Sequence, residues 1–329
     1  MMRRHVIAAA AVLVLATPAP GSAQTTSADA RTRERARVER ENERRDRDRE
    51  REQQRRERDA AGALDTTVAF DARGTITVTC PQGDVVVTAS DRNEVRVRAR
   101  TENGGIRFTS NGVRATLEPA SGRGCSDGRF EVTVPAGTRV SARSWSGSVS
   151  VRGVRGDLET RTHSADVEIR DAGRIDVESL SGDVSIQGVS GESVVRTVSG
   201  DIDLGGARGD VEIETVSGDI DLRDVVAKQI RSHTTSGDVS FAGQILPDGR
   251  YEYNTHSGEI RLILPADVGA QLSVSTFSGG IESDFPITLK ADTDHSSKRL
   301  SFSLGQGTAR ILAETFSGDV TITSTSRRR

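Results

Sequence analysis

The chain has 329 residues, a net charge of −3, 3% aromatic residues and 33 glycines. Such scarcity of aromatic bulk, beside abundant Gly, Ser, Thr, Val and Asp, suits short strands and tight turns and argues against a large aromatic-lined enzyme core. Beyond residue 60 there are 30 basic against 37 acidic residues, a balance that disfavours a nucleic-acid partner.

Taken in chain order, Arg3 and Arg4 precede an apolar run of 11 residues, Val6 to Ala16, which Pro18, Pro20 and Gly21 end. Gly21-Ser22-Ala23 offers a small-x-small cleavage site, so residues 1–23 read as a signal peptide. The run is too short to span a bilayer, and no transmembrane helix is expected in the mature chain. An exported protein is expected, placed in the periplasm, on the outer surface or outside the cell.

Residues 24–60 read as an Arg/Glu-rich linker, helical or disordered. Positions 29–59 hold 13 Arg and 11 acids and almost nothing apolar, so they cannot bury a core. Pairs spaced i,i+4, such as Glu43–Arg47, favour a solvated helix. An electrostatic tether to an envelope surface is the functional alternative for this stretch.

Residues 61–140 alternate with period two in several short runs, among them Thr75–Thr79, Glu94–Arg98 and Phe130–Val134. Turn signals at Asn103-Gly104-Gly105 and Asn111-Gly112 separate them. They read as an irregular β N-terminal cap with the first strands. Cys80 and Cys125 are the only cysteines. In an oxidising compartment such a pair is expected to form a disulfide.

Residues 141–329 carry the strongest signal. An anchor Ser falls at positions 146, 164, 181, 199, 217, 236, 257, 278 and 317, in steps of 18, 17, 18, 18, 19, 21, 21 and 39. After most anchors comes Gly-Asp-apolar-x-apolar. Each repeat holds two short strands and cannot bury its apolar side alone; stacking at ~4.8 Å supplies a continuous core. The expected fold is all-β: a β-solenoid, single-stranded β-helix-like, of ~18-residue Ser-Gly-Asp repeats. The last step of 39 reads as roughly two coils, one of them degenerate or interrupted by residues 284–300.

Stacking in register would align like residues. An acidic column is expected from Asp166, Asp183, Asp201, Asp219, Asp238, Glu259 and Asp319. It is either a set of turn caps or a line of Ca²⁺ sites. The Thr two residues before the anchor (Thr197, Thr215, Thr234, Thr255, Thr276, Thr315) is expected on the same outward face. The residue just before the anchor (Trp145, His163, Leu180, Val198, Val216, His256, Phe277 or Phe316) is expected to pack inward or at a corner. The interruption after Asp284, with Asp292, Asp294, His295 and Lys298, is the one place for polysaccharide-cleaving chemistry; otherwise it is a solvated loop. No catalytic residue and no cofactor-binding motif stands out.

The phrase Thr197-Val198-Ser199-Gly200-Asp201-Ile202-Asp203-Leu204 returns at Thr215–Leu222 and, with changes, at Thr315–Ile322. Leu264-Pro265-Ala266 leads by a strand into Thr276-Phe277-Ser278-Gly279, as Val134-Pro135-Ala136 leads into Ser144-Trp145-Ser146-Gly147. Over roughly residues 65 to 325 the chain resembles the bacterial "putative adhesin" family of cell-envelope β-repeat proteins. The resemblance implies an exported or envelope-associated β-solenoid, with adhesion as a label and no catalytic residues to carry over. The function expected is a non-catalytic adhesion, interaction or scaffold module whose partner is an envelope or surface component, glycan or protein. The alternatives are a polysaccharide-active enzyme on a β-helix and a Ca²⁺-stabilised scaffold.

Overall fold

The computed structural model describes residues 37, 40–49, 62–102, 104–120, 127–286 and 298–325. The chain divides into two compact units, Met1–Arg56 and Glu57–Arg329. Residues 1–23, read as a signal peptide, lie outside the described residues. In the first unit residues 40–49 are helical and exposed. The i,i+4 spacing closes ion pairs from Arg45 to Glu41 at 3.0 Å and from Arg47 to Glu43 at 3.1 Å.

The second unit is a β-solenoid. Its strands pair mostly in parallel, and the anchor serines lie opposite one another: Ser146 on Ser164, Ser164 on Ser181, Ser181 on Ser199, Ser199 on Ser217, Ser217 on Ser236, and Ser236 on Ser257. Each coil has a strand before the Ser-Gly-Asp bend, such as Val211–Ser217, and one after it, such as Ile220–Leu222 at the start of Ile220–Ser236. Alternation turns Val211, Ile213, Ile220 and Leu222 inward, where all are buried. The two sheets face each other across one core: Phe241, after its bend, packs 5.4 Å from Tyr253, which precedes the next.

The bend explains its own sequence. Gly218 sits at φ 149°, and a Cβ there would lie 2.1 Å from the carbonyl oxygen of Gly200 in the coil below. Only glycine meets both demands. Its N–H donates to the carbonyl of Ser236 at 3.0 Å, so the ladder continues through the corner.

The end of the stack departs from sequence order. Ser257 pairs not with Ser278 but with Ser317, and Ser317 pairs on its other side with Ser278. The 39-residue step, expected to hold two coils with one degenerate or interrupted, holds the coil of Ser278 and an antiparallel strand. After Ala270–Ser278 the chain adds an antiparallel strand, Lys298–Leu304, on the outer edge. It then returns as Ala309–Ser317 and Val320–Thr325, inserted between the coils of Ser257 and Ser278.

The register also reaches back into residues 61–140. Strand Thr75–Ser90 lies parallel to Arg139–Arg152, with Gln82 opposite Ser146. Gln82-Gly83-Asp84 is thus a degenerate copy of the bend motif. Strands Arg114–Pro119 and Gly128–Pro135 stack on its far side. Antiparallel strands close this end, Glu94–Arg100 on Gly128–Pro135 and Ala63–Ala69 on Glu94–Arg100.

Candidate interaction face

The bend edge carries every column singled out in the sequence, and the structure sorts them. The carboxylates form a ladder along the bend. Oδ1 of Asp166 accepts the backbone N–H of Asp183 at 3.0 Å, Asp183 that of Asp201 at 3.0 Å, Asp201 that of Asp219 at 2.9 Å, Asp219 that of Asp238 at 2.8 Å and Asp238 that of Glu259 at 2.8 Å. Asp319 accepts from Gly280 at 2.7 Å, which follows the spatial order of the coils. Each acid thus caps the next coil rather than its own turn. Glu259, one methylene longer, instead accepts from Arg261 and from the hydroxyl of Thr321, each at 3.0 Å. Asp84 extends the ladder by accepting the N–H of Ser148 at 3.1 Å and its hydroxyl at 2.7 Å. Sequence reasoning missed Asp84 because Gln82 replaces the anchor Ser; the surviving Gly-Asp-apolar-x-apolar signal was the clue.

Among the described residues no group of three or more His, Cys, Asp or Glu side chains is arranged to hold a metal ion. Cys80 is buried in the core, whereas Cys125 lies outside the described residues. Asp292, Asp294 and His295 lie outside them as well. Lys298 lies within them, and its ammonium donates to the carbonyl of Gly279 at 2.7 Å, capping the last bend.

The threonine column departs from expectation, and the column just before the anchor takes the corner rather than the core. The threonines do not share the outward face with the acids: all six are buried. They keep the alternation of their own strand, as Val211, Ile213 and Thr215 do, so residues two before the anchor point into the core. There four of the hydroxyls donate to bend carbonyls of the neighbouring coil, Thr234 on Gly218 at 3.3 Å, Thr255 on Gly237 at 3.0 Å, Thr315 on Gly258 at 3.0 Å and Thr276 on Gly318 at 2.9 Å. Thr197 instead donates to the carbonyl of Ser199 in its own coil at 3.2 Å, and the buried Thr215 hydroxyl has no hydrogen-bond partner among the described residues. A hydroxyl suits a corner where a methyl would leave a carbonyl unpaired.

Conversely, the residue just before the anchor does not pack inward. Trp145, Leu180, Val198, Val216, Phe277 and Phe316 are between 43% and 61% exposed. Of the described large hydrophobic side chains that are exposed, only Val113 lies elsewhere. His163 and His256 fall in the same column and stack on its aromatics. The ring of Trp145 lies 4.2 Å from that of His163, His256 lies 4.8 Å from Phe316, and Phe316 lies 4.8 Å from Phe277. With the exposed Thr235 between Val216 and His256, the column runs past nine stacked positions, about 40 Å at strand spacing. Ring faces turn along the solenoid axis toward one another, so edges and aliphatic tips meet solvent. One flank is the acid ladder. The other is the outer sheet face, where arginines and glutamates of adjacent coils pair, for example Arg161–Glu178 at 3.0 Å and Arg196–Glu212 at 2.9 Å.

With this geometry in view, comparison with known proteins places the chain. The model of the Toastrack DUF4097 family matches residues 69–323. The chain belongs to that family. The Toastrack match spans the whole ladder, from the Asp84 copy to the strand after Asp319. A crystal structure of a putative adhesin from Bacteroides fragilis NCTC 9343 is similar at 13% identity, with TM-score 0.39, over 80% of this chain and 96% of that one. A putative adhesin from Parabacteroides distasonis ATCC 8503 is similar at 10% identity, with TM-score 0.43, over 80% and 97%. A putative lipid binding protein from the same organism is similar at 14% identity, with TM-score 0.36, over the same shares. No curated protein matches the chain. No helix among the described residues is long and apolar enough to cross a membrane.

Proposed function

We propose that this Toastrack chain is an exported, non-catalytic interaction module of the cell envelope or surface, and that its bend edge is the binding face. One observation carries the reading: among the described residues, all the exposed large hydrophobics except Val113 are gathered into a single column. A soluble solenoid needs no such column, and contiguous exposed apolar surface marks interaction sites. The signal-peptide pattern of residues 1–23 supports export.

The partner is a protein whose contacting surface combines apolar side chains with Lys or Arg. The acid ladder running beside the apolar column calls for cationic complementarity. A glycan is the weaker fit, because sugar rings stack on open aromatic faces, and here Phe316 is covered on one side by His256 and on the other by Phe277. The chain's own Arg-rich stretch, residues 29–59, supplies charge but almost no apolar side chain to cover the column.

The test is binding by the full chain and by a triple variant, Val198→Ser, Val216→Ser and Phe316→Ser, whose thermal stability is measured in parallel. Loss of partner binding with little change in melting temperature supports the reading. Unchanged binding overturns it.

A further inference from the structure

Away from the bend, the outer face of the pre-bend sheet carries a cation pair that the ladder logic does not explain. Arg250 and Arg310 are direct register partners in adjacent parallel strands, and both are exposed. Stacked like charges are unfavourable. Elsewhere on the solenoid such pairs are relieved by acids. Arg152 lies opposite Arg170, and both reach Glu168, at 2.9 and 2.6 Å. Arg143 lies opposite Arg161, which pairs with Glu178 at 3.0 Å. Arg250 and Arg310 have no carboxylate partner among the described residues. Their neighbours along the column are uncharged: Gln229 beside Arg250 and Gln271 beside Arg310. Glu252, two residues further along the strand, is engaged by Arg231 at 3.4 Å.

The pair opens into a groove of about 730 Å³, lined also by Gln271, Ser273, Ser301, Ser303 and the Arg231-paired Glu252. Serine and glutamine add neutral donors around the two guanidiniums. Adjacent planar cations with hydroxyl and amide donors recognise an oxyanion that has several acceptor oxygens. We propose that this groove is a binding site for a phosphate group carried on a larger molecule, with Arg250 and Arg310 as the paired cationic clamp. The site lies six residues before the apolar column within each strand, so it is separate from the bend edge, and variants of Val198, Val216 and Phe316 leave it intact.

The test uses the full purified chain, Arg250→Gln/Arg310→Gln, and Arg143→Gln as a control for an unpaired arginine elsewhere on the same sheet. Thermal melting and titration calorimetry are run with inorganic phosphate and pyrophosphate at constant ionic strength. Flotation is run with vesicles of phosphatidylglycerol and of phosphatidylcholine. The expected result is a ligand-dependent rise in melting temperature for wild type and the control. The double variant should melt no lower than wild type without ligand and bind at least about tenfold more weakly. Flotation with phosphatidylglycerol alone, lost in the double variant, supports the site and assigns the phosphate to a lipid headgroup. Pyrophosphate binding without flotation supports it with a soluble phosphorylated ligand. Binding of neither probe by wild type, or wild-type binding by the double variant, overturns the proposal.

Discussion

Ser257 and Ser317 lie directly opposite each other in adjacent parallel strands, although a complete coil and an antiparallel strand separate them in the chain. The last coil in sequence is therefore an interior coil in space, and the coil of Ser278 rests on it. Deleting residues 306–329 should strip amide-exchange protection from Ala270–Ser278 while leaving Val211–Ser217 protected. Retained protection over Ala270–Ser278 would mean that this coil stacks in sequence order on that of Ser257.

The carboxylate ladder predicts directional effects. Asp201 accepts the N–H of Asp219, so Asp201→Ala should cost about 1 kcal/mol by leaving that amide without its acceptor. Asp201→Asn, which keeps a carbonyl acceptor, should recover most of it. Chemical denaturation of the two variants measures the difference, and equal losses would contradict the capping role.

Tyr251 and Tyr253 are the only tyrosines, and both are buried. Burial raises the ionisation of each above the ordinary value of 10.0, and for Tyr253 well above it. A raised value on an acid that is neutral when folded gives stability that is fully present below the ordinary value and is lost as pH rises through the folded one. Tyrosinate absorbance should therefore appear only together with loss of β-sheet circular dichroism. Ionisation that precedes unfolding would show the ring hydroxyls to be solvated.

Glu168 titrates with the opposite sign. Its hydrogen bond from Arg152, aided by Arg170, holds its carboxyl below the ordinary value of 4.5. The stability it contributes is present above that value and is lost as pH falls through the lowered one. Glu168→Gln should lower the melting temperature at neutral pH and flatten its fall in the acid range. High salt should shrink the difference, since the pairs are solvent-exposed. An acid limb identical to wild type would remove Glu168 from the pH dependence.

The period of the repeat was legible in the sequence because the demand that Gly218 meets recurs in most coils, although Ala165 fills the same position opposite Gly147. The core was legible through alternation at Val211, Ile213, Ile220 and Leu222. Hydropathy misled at the end of the pre-bend strand. Thr215 reads as polar and outward, Val216 as apolar and inward, yet the period-two alternation of Val211 and Ile213 runs on, burying Thr215 and exposing Val216. A buried threonine and an exposed valine run against residue polarity, so only the parity of the strand marks them. Coil order failed for another reason: pairing between Ser257 and Ser317 is set by which open edge the returning strand meets. The Asp84 copy was hidden because its partner strand, Arg139–Arg152, lies several strands further along the chain. The acid column itself was legible, but its hydrogen bonds to the next coil depend on a vertical spacing that only stacking supplies.

The most direct test of the bend edge as a binding face is photo-crosslinking in the native cell, with a photoreactive residue placed singly at Leu180, Val198, Val216 or Phe316, and at Glu212 and Arg231 on the outer sheet face. The prediction is one common protein adduct from all four bend positions and none from the two sheet positions. That adduct should weaken when Asp201→Lys reverses charge beside the column. Adducts of equal strength from both sets, or adducts from the sheet positions alone, would contradict it.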